Sequence, residues 1–154
     1  MNHNLQNIDE IVENLKIEGI NLPTHSSVIV LVKNKEGKYL VLQRAFNDPD
    51  GAALYDFAGG SGDSFDPEDD AKRELFEEAG IQADSLELIN FSKYICPWKG
   101  EEKVKFVFAH ETDQDVTLSF EHESFAWVDA PDVMNYEFYK AGLQEILLEH
   151  AKQD

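Results

Sequence analysis

Glu74, Glu77 and Glu78 stand at i, i+3 and i+4, a spacing that gathers carboxylates along one side of a helix. Like charges at that spacing destabilise an isolated helix by ~0.2–0.5 kcal/mol per pair, so a counter-charge is expected. A hard divalent cation suits oxygen donors of this kind, and magnesium commonly shares carboxylates with substrate phosphates. Ala71, Leu75 and Ala79 form an apolar stripe on the same segment. The expectation is a helix whose apolar stripe enters the core while the three glutamates project away from it. Arg73 is placed to hold Glu77, one turn on, or a phosphate. Gly59-Gly60 lies just upstream, where bare backbone lets a ligand approach closely.

The helix that carries these residues has clear ends. Asp66 is a good N-cap, Pro67 a good first helical residue and Gly80 a good left-handed stop. Around it, Ile8, Ile11, Val12 and Leu15 predict an amphipathic helix over about 7–17. Strands are expected at His25–Val32, Lys38–Arg44, Tyr55–Phe57, Leu86–Ile95, Lys103–Glu111 and Ser124–Val128. A last helix is expected from an Asn135 cap, with Tyr139, Leu143, Ile146, Leu147 and His150 on one face. Helix, strands, helix, strands, helix make an α+β chain with helices on a mixed sheet.

The chain has 154 residues and a formal net charge of -18. That length suits one domain, 1–154, with 1–22 as an N-terminal helical extension. The acidic surface argues against nucleic acid polymers and anionic membranes as partners. It repels a phosphate substrate too, unless cations intervene. No apolar run approaches the ~20 residues of a membrane span. The N-terminus has no signal-peptide pattern and the lone Cys96 cannot form an internal disulfide, so the default location is cytoplasmic. His122 has no second histidine at ligand spacing, which argues against zinc. His25 and His110 read as strand residues.

The run Arg73-Glu74-Leu75-Phe76-Glu77-Glu78-Ala79-Gly80-Ile81 resembles the second half of the Nudix box, R-E-U-x-E-E-x-G-U with U bulky and aliphatic, without a mismatch. Tyr55-Asp56-Phe57-Ala58-Gly59-Gly60 resembles the family's entry to the box, and Leu40–Arg44 its second strand, which often ends in Gln-Arg. Glu121–Val128 is similar to a later segment that often supplies a further catalytic Glu. The resemblance implies a Nudix-type α/β/α sandwich with a central mixed sheet and a catalytic helix at about 67–79. It implies Mg2+-dependent hydrolysis, with Mn2+ as a substitute, of a pyrophosphate linkage in a nucleoside diphosphate derivative or nucleoside triphosphate. The implied metal ligands are Glu74, Glu78, Glu77 and the Gly59 carbonyl. The implied catalytic residues are Glu77, Arg73, and Glu121 or Glu123, which the sequence does not separate. Arg44, Gly60 and Trp98 are the residues expected to meet a nucleotide-like small molecule. Members of the family often form dimers, so a homodimer is among the expectations. A non-catalytic nucleotide-binding sensor on the same fold is the alternative.

Two features depart from the pattern. Phe65 stands where the first Glu of the box belongs, and the loop between Gly60 and the helix is one residue shorter. In the family that Glu pairs with the box Arg, so Asp63 or Asp66 is expected to take over. Phe65 is expected to be buried as a staple on the first turns of the helix, with Tyr55 or Phe57 as partners.

Overall fold

The computed structural model describes residues 7–97 and 99–153. Trp98 lies outside the described residues, as does the start of the expected N-terminal extension. The helices are α1 (Ile8–Ile17), α2 (Leu22–His25), α3 (Pro67–Ala79) and α4 (Leu143–Ala151). The strands are β1 (Ser26–Lys33), β2 (Tyr39–Arg44), β3 (Tyr55–Asp56), β4 (Ala58–Ser61), β5 (Glu87–Ile95), β6 (Glu102–Glu111) and β7 (His122–Val128).

All these strands join one mixed sheet. β1 pairs parallel with β6 and antiparallel with β2 and β4, while β7 pairs with β2, β3 with β2, and β5 with β6. The sheet is buried on both faces, and side chains alternate between them. Val28, Val30 and Val32 of β1 enter one apolar cluster with Leu40, Leu42, Phe106 and Phe108, covered by α1 and α3. Ile29 and Leu31 enter a second cluster with Val41, Phe57 and Val107, covered by α4. The result is the α/β/α sandwich expected above.

Three local expectations are corrected. His25 closes α2, with Nε2 2.8 Å from the Glu101 carboxylate, and is not in β1. The last helix starts at Leu143, not near Asn135, because Gly142 holds φ at 92°, a left-handed value no right-handed helix contains. Residues 130–135 form a short 3-10 turn instead. Tyr139 is drawn off its helically spaced position by tertiary contacts: its neighbour Phe138 bridges Tyr55 and packs on Phe57 at 4.8 Å, and the Arg44 guanidinium lies 4.4 Å from the Tyr139 ring centre.

Candidate active site

α3 is placed by its apolar stripe. Ala71, Leu75 and Ala79 are fully buried against the sheet. Asp66 caps the helix by accepting from the Asp69 N–H at 3.0 Å, and Gly80 ends it at φ 69°. Each residue advances about 100° around the axis. The positions one residue before the stripe, Asp70, Glu74 and Glu78, therefore border the core. Glu77, about 200° from Leu75, points away from it.

The expectation that all three glutamates project from the core is thus corrected. The side chain of Glu77 is 55% exposed and that of Glu74 14%, while Glu78 is buried at 7%. Glu78 Oε1 accepts a hydrogen bond from the Gly59 N–H at 2.9 Å. A Cβ on Gly60 would lie 2.8 Å from the carboxyl carbon of Glu74, so that glycine is what lets this carboxylate lie against β4. The pairing of β4 with β1 runs from Ala58↔Val30 to Ser61↔Ser27 and fixes the glycine pair beneath the helix.

Burial pushes the Glu74 carboxyl up to about 7, with Arg73 opposing and Glu77, Glu121 and Asp63 adding to the rise. Burial pushes Glu78 up to about 9; the Gly59 hydrogen bond opposes, and Asp56, Glu74 and Glu121 add to the rise. These carboxyls therefore lie in a partly dry place crowded with negative charge. A cleft of about 410 Å³ opens beside Glu78 and is lined by Arg44, Asp48, Glu121 and His122 among others.

Glu121 and Glu123 are brought to different places. Glu121 lines the cleft with Glu78. Glu123 accepts from the Phe46 N–H at 3.1 Å and holds the loop after β2. Arg44 also reaches the cleft, but its nitrogens donate to Asp56, Asp48 and the Asp50 carbonyl at 3.0, 2.9 and 3.1 Å. Burial alone would lower its pKa, and the charges of Asp56 and Asp48 outweigh it and hold it raised.

Arg73 lies among acids, with guanidinium nitrogens 3.4 Å from both Asp63 and Glu74, 3.8 Å from Asp70 and 4.0 Å from Glu77. Asp63 does take up the arginine in place of the missing box Glu, while Asp66 is the helix cap. Phe65 is corrected: it is 47% exposed, with the Lys16 ammonium 5.2 Å from its ring centre. Phe57 and Tyr55 are not its partners, because they pack on Phe138 and Tyr136.

Residues that sequence reasoning missed complete the site. Asp70, 2% exposed, accepts from the Asp63 and Ser64 N–H groups at 3.2 and 3.3 Å and from the Ser64 hydroxyl at 2.8 Å. It holds the shortened loop. Its signal was available, since Asp70, Glu74 and Glu78 continue one stripe at successive turns. Asp56 and buried His122 form a second pair, with Nε2 3.0 Å from Asp56 Oδ1. No long-range pairing of this kind is visible in a sequence.

The family model for the NUDIX domain matches residues 23–148. The chain belongs to the NUDIX domain family. It is 30% identical over 132 residues to an RNA pyrophosphohydrolase of Roseobacter denitrificans, covering 73% of this chain and 81% of that protein. The fold is similar to that of a MutT protein from Methanosarcina mazei, with a TM-score of 0.69, 24% identity, and 87% and 96% of the two chains covered. It is also similar to the NUDIX domain of Shewanella oneidensis NrtR complexed with ADP ribose, with a TM-score of 0.69, 16% identity, and 97% and 100% covered.

The donor chemistry around Glu74 and Glu78 fits the divalent ion that the family implies. The donor atoms there are carboxylate oxygens, with the Arg73 guanidinium 3.4 Å from Glu74, and their raised pKa values are what a cation would reverse. Among the described residues, no three His, Cys, Asp or Glu side chains close on one point as a metal cage. Magnesium does not require one, because it usually keeps several waters and binds one or two carboxylates plus substrate phosphates. No helix among the described residues is long and apolar enough to cross a membrane.

Proposed function

We propose that the chain hydrolyses the pyrophosphate linkage of a nucleoside diphosphate derivative or nucleoside triphosphate, with Mg2+ or Mn2+ held by Glu74 and Glu78. As a member of the NUDIX family it is a pyrophosphohydrolase. The observation that supports the site best is the placing of two desolvated carboxylates at Gly59-Gly60, Glu78 held by a hydrogen bond from the Gly59 N–H and Glu74 given room by the missing Cβ of Gly60.

The chain's own groups divide the work. Glu74 and Glu78 supply negative oxygens on a rigid helix, with Glu77 as a further ligand or base on its open side. The Gly59 backbone and Gly60 keep the approach to the carboxylates clear of side chains. Arg73 orients Glu74 and Glu77 and faces substrate phosphate. Glu121 is the general base, since it shares the cleft with Glu78 while Glu123 is tied to Phe46. Arg44, held by Asp48 and Asp56, forms the cleft wall against which the substrate lies. When bound, the ion neutralises developing phosphate charge and acidifies the attacking water.

The test is a hydrolysis panel of nucleoside triphosphates, ADP-ribose, sugar nucleotides, dinucleoside polyphosphates and a 5′-triphosphorylated RNA. Each is assayed with Mg2+, with Mn2+ and with a chelator. Metal-dependent cleavage of a small nucleotide supports the proposal. Tight binding of a nucleotide without cleavage would replace it with the sensor reading.

A further inference from the structure

Among the described residues five lysines take a carboxylate, Lys16, Lys33, Lys35, Lys72 and Lys93; Lys35, for one, holds Asp113 at 3.1 Å. Lys103, Lys105 and Lys140 do not. Among the described residues their side chains make no ion pair or hydrogen bond, in a chain with 31 Asp and Glu against 13 Lys and Arg.

The sheet register sets Lys105 level with Ser61, one residue past Gly60, and Lys103 two residues further along the same strand face. Lys103, Lys105 and Val107 alternate along β6 with buried Val104 and Phe106, which enter the α1–α3 cluster. The lysines therefore stand on the face toward α4, as Val107 does. Lys105 lies opposite Ser27 of β1 on one side and Ser92 of β5 on the other, and Ser27 lies opposite Ser61 of β4. A polar row thus crosses the sheet and ends one residue past Gly60. Lys140 is delivered to the same face by the segment before α4. The Tyr139 N–H donates to the Tyr55 carbonyl at 3.0 Å, and the Phe138 ring packs on Phe57.

We propose that Lys103, Lys105 and Lys140, with the Ser27 and Ser61 hydroxyls beside them, form an anion subsite for a phosphate group beyond the two that flank the scissile bridge. The preferred substrate then carries at least three phosphates in all. This rests on the pyrophosphohydrolase reading of the carboxylate site, to which it adds a substrate class.

The electrostatics agree with the placement. Burial lowers the pKa of Lys105, and the charge of Lys140 lowers it further. Burial lowers Lys140 as well; Asp56 and Glu78 pull it up, and Arg44 and Lys103 push it down. The ammonium groups therefore sense one another and the edge of the carboxylate site. Like charges in a half-dry place repel, and a bound phosphate offsets that repulsion while accepting hydrogen bonds from ammonium and hydroxyl donors. The same lysines counter the repulsion that a net charge of -18 exerts on a polyphosphate.

The test is calorimetric binding of inorganic tripolyphosphate and pyrophosphate to the full chain, at low salt and with Mg2+ present. The parent should bind tripolyphosphate at least tenfold more tightly than pyrophosphate. The double variant Lys105→Gln/Lys140→Gln should lose that preference while keeping the parent's circular dichroism. Lys105→Arg should retain it, and so should Lys152→Gln, a change at the far end of α4. Equal affinity of the parent for the two anions, or an unchanged preference in the double variant, would overturn the subsite. The outcomes separate from those of the hydrolase reading. Loss of the preference with no hydrolysis of any nucleotide keeps the subsite and removes the enzyme activity. Hydrolysis whose KM for triphosphates ignores both lysines does the reverse.

Discussion

Replacing Glu78 by Gln should make the metal-free protein more stable at neutral pH and nearly inactive. Glu78 is buried with one backbone hydrogen bond, and its carboxyl is pushed from 4.5 up to about 9. Between those values the folded state binds a proton that the unfolded chain has released, so stability falls as pH rises through this window. From pH 5 to pH 7 the loss is two units at about 1.36 kcal/mol each, or about 3 kcal/mol from this group. Glu74, pushed to about 7, acts in the same direction from its ordinary value up to neutrality. Glutamine keeps the shape and can still accept from the Gly59 N–H, but it has no charge to desolvate. Urea unfolding in a chelator at pH 5 and pH 7 reads this directly. The parent should lose stability over that interval, and Glu78→Gln should lose about 3 kcal/mol less. Turnover in saturating metal should fall by ~10²–10³, the usual effect of removing one charged transition-state group. An equal pH dependence in parent and variant would refute the claim that burial holds the Glu78 carboxyl protonated in the folded, metal-free protein.

Glu121→Gln should lower kcat by ~10²–10⁴ as the loss of a general base, while Glu123→Gln should leave it within a few-fold; steady-state kinetics of the pair decides between them. Asp70→Ala leaves the Asp63 and Ser64 N–H groups without their acceptor, while the Ser64 hydroxyl keeps only the Asp66 carbonyl at 3.2 Å. It should cost about 2–3 kcal/mol in denaturant unfolding and loosen the loop before α3 in hydrogen exchange, whereas an unchanged loop would show that Arg73 and Asp63 hold it alone. Phe65→Ala should change stability by less than about 1 kcal/mol, as expected for a ring that is 47% exposed with one cation over it.

Much of the architecture was legible because local and tertiary forces agree in it. The Asp66-Pro67 start and Gly80 stop of α3, the continuous apolar run of β1 and the N-terminal helix follow from capping and burial alone. The reading failed where long-range contacts outweigh local pattern. Tyr139 has helical spacing to Leu143, but its neighbour Phe138 is claimed by Phe57 and its own ring by Arg44. Phe65 was read as buried because it is aromatic and precedes a cap, while α1, distant in sequence, leaves it half-open beside Lys16. Within the site, the types and spacing of Glu74, Glu77 and Glu78 were legible. Their unequal burial follows from the angle between the carboxylate stripe and the apolar stripe on α3. The Asp56–His122 pair depends on strand pairing between β2, β3 and β7 and left no local signal.

The claim that Glu74 and Glu78 hold a divalent ion is tested most directly by electron paramagnetic resonance of Mn2+ titrated into the protein. The parent should take up manganese at a site from which magnesium displaces it. Glu74→Gln/Glu78→Gln should lose that site and, with it, metal-dependent hydrolysis of the best substrate in the panel. Manganese bound equally well by the parent and the double variant would contradict the account and place the ion elsewhere on the acidic surface.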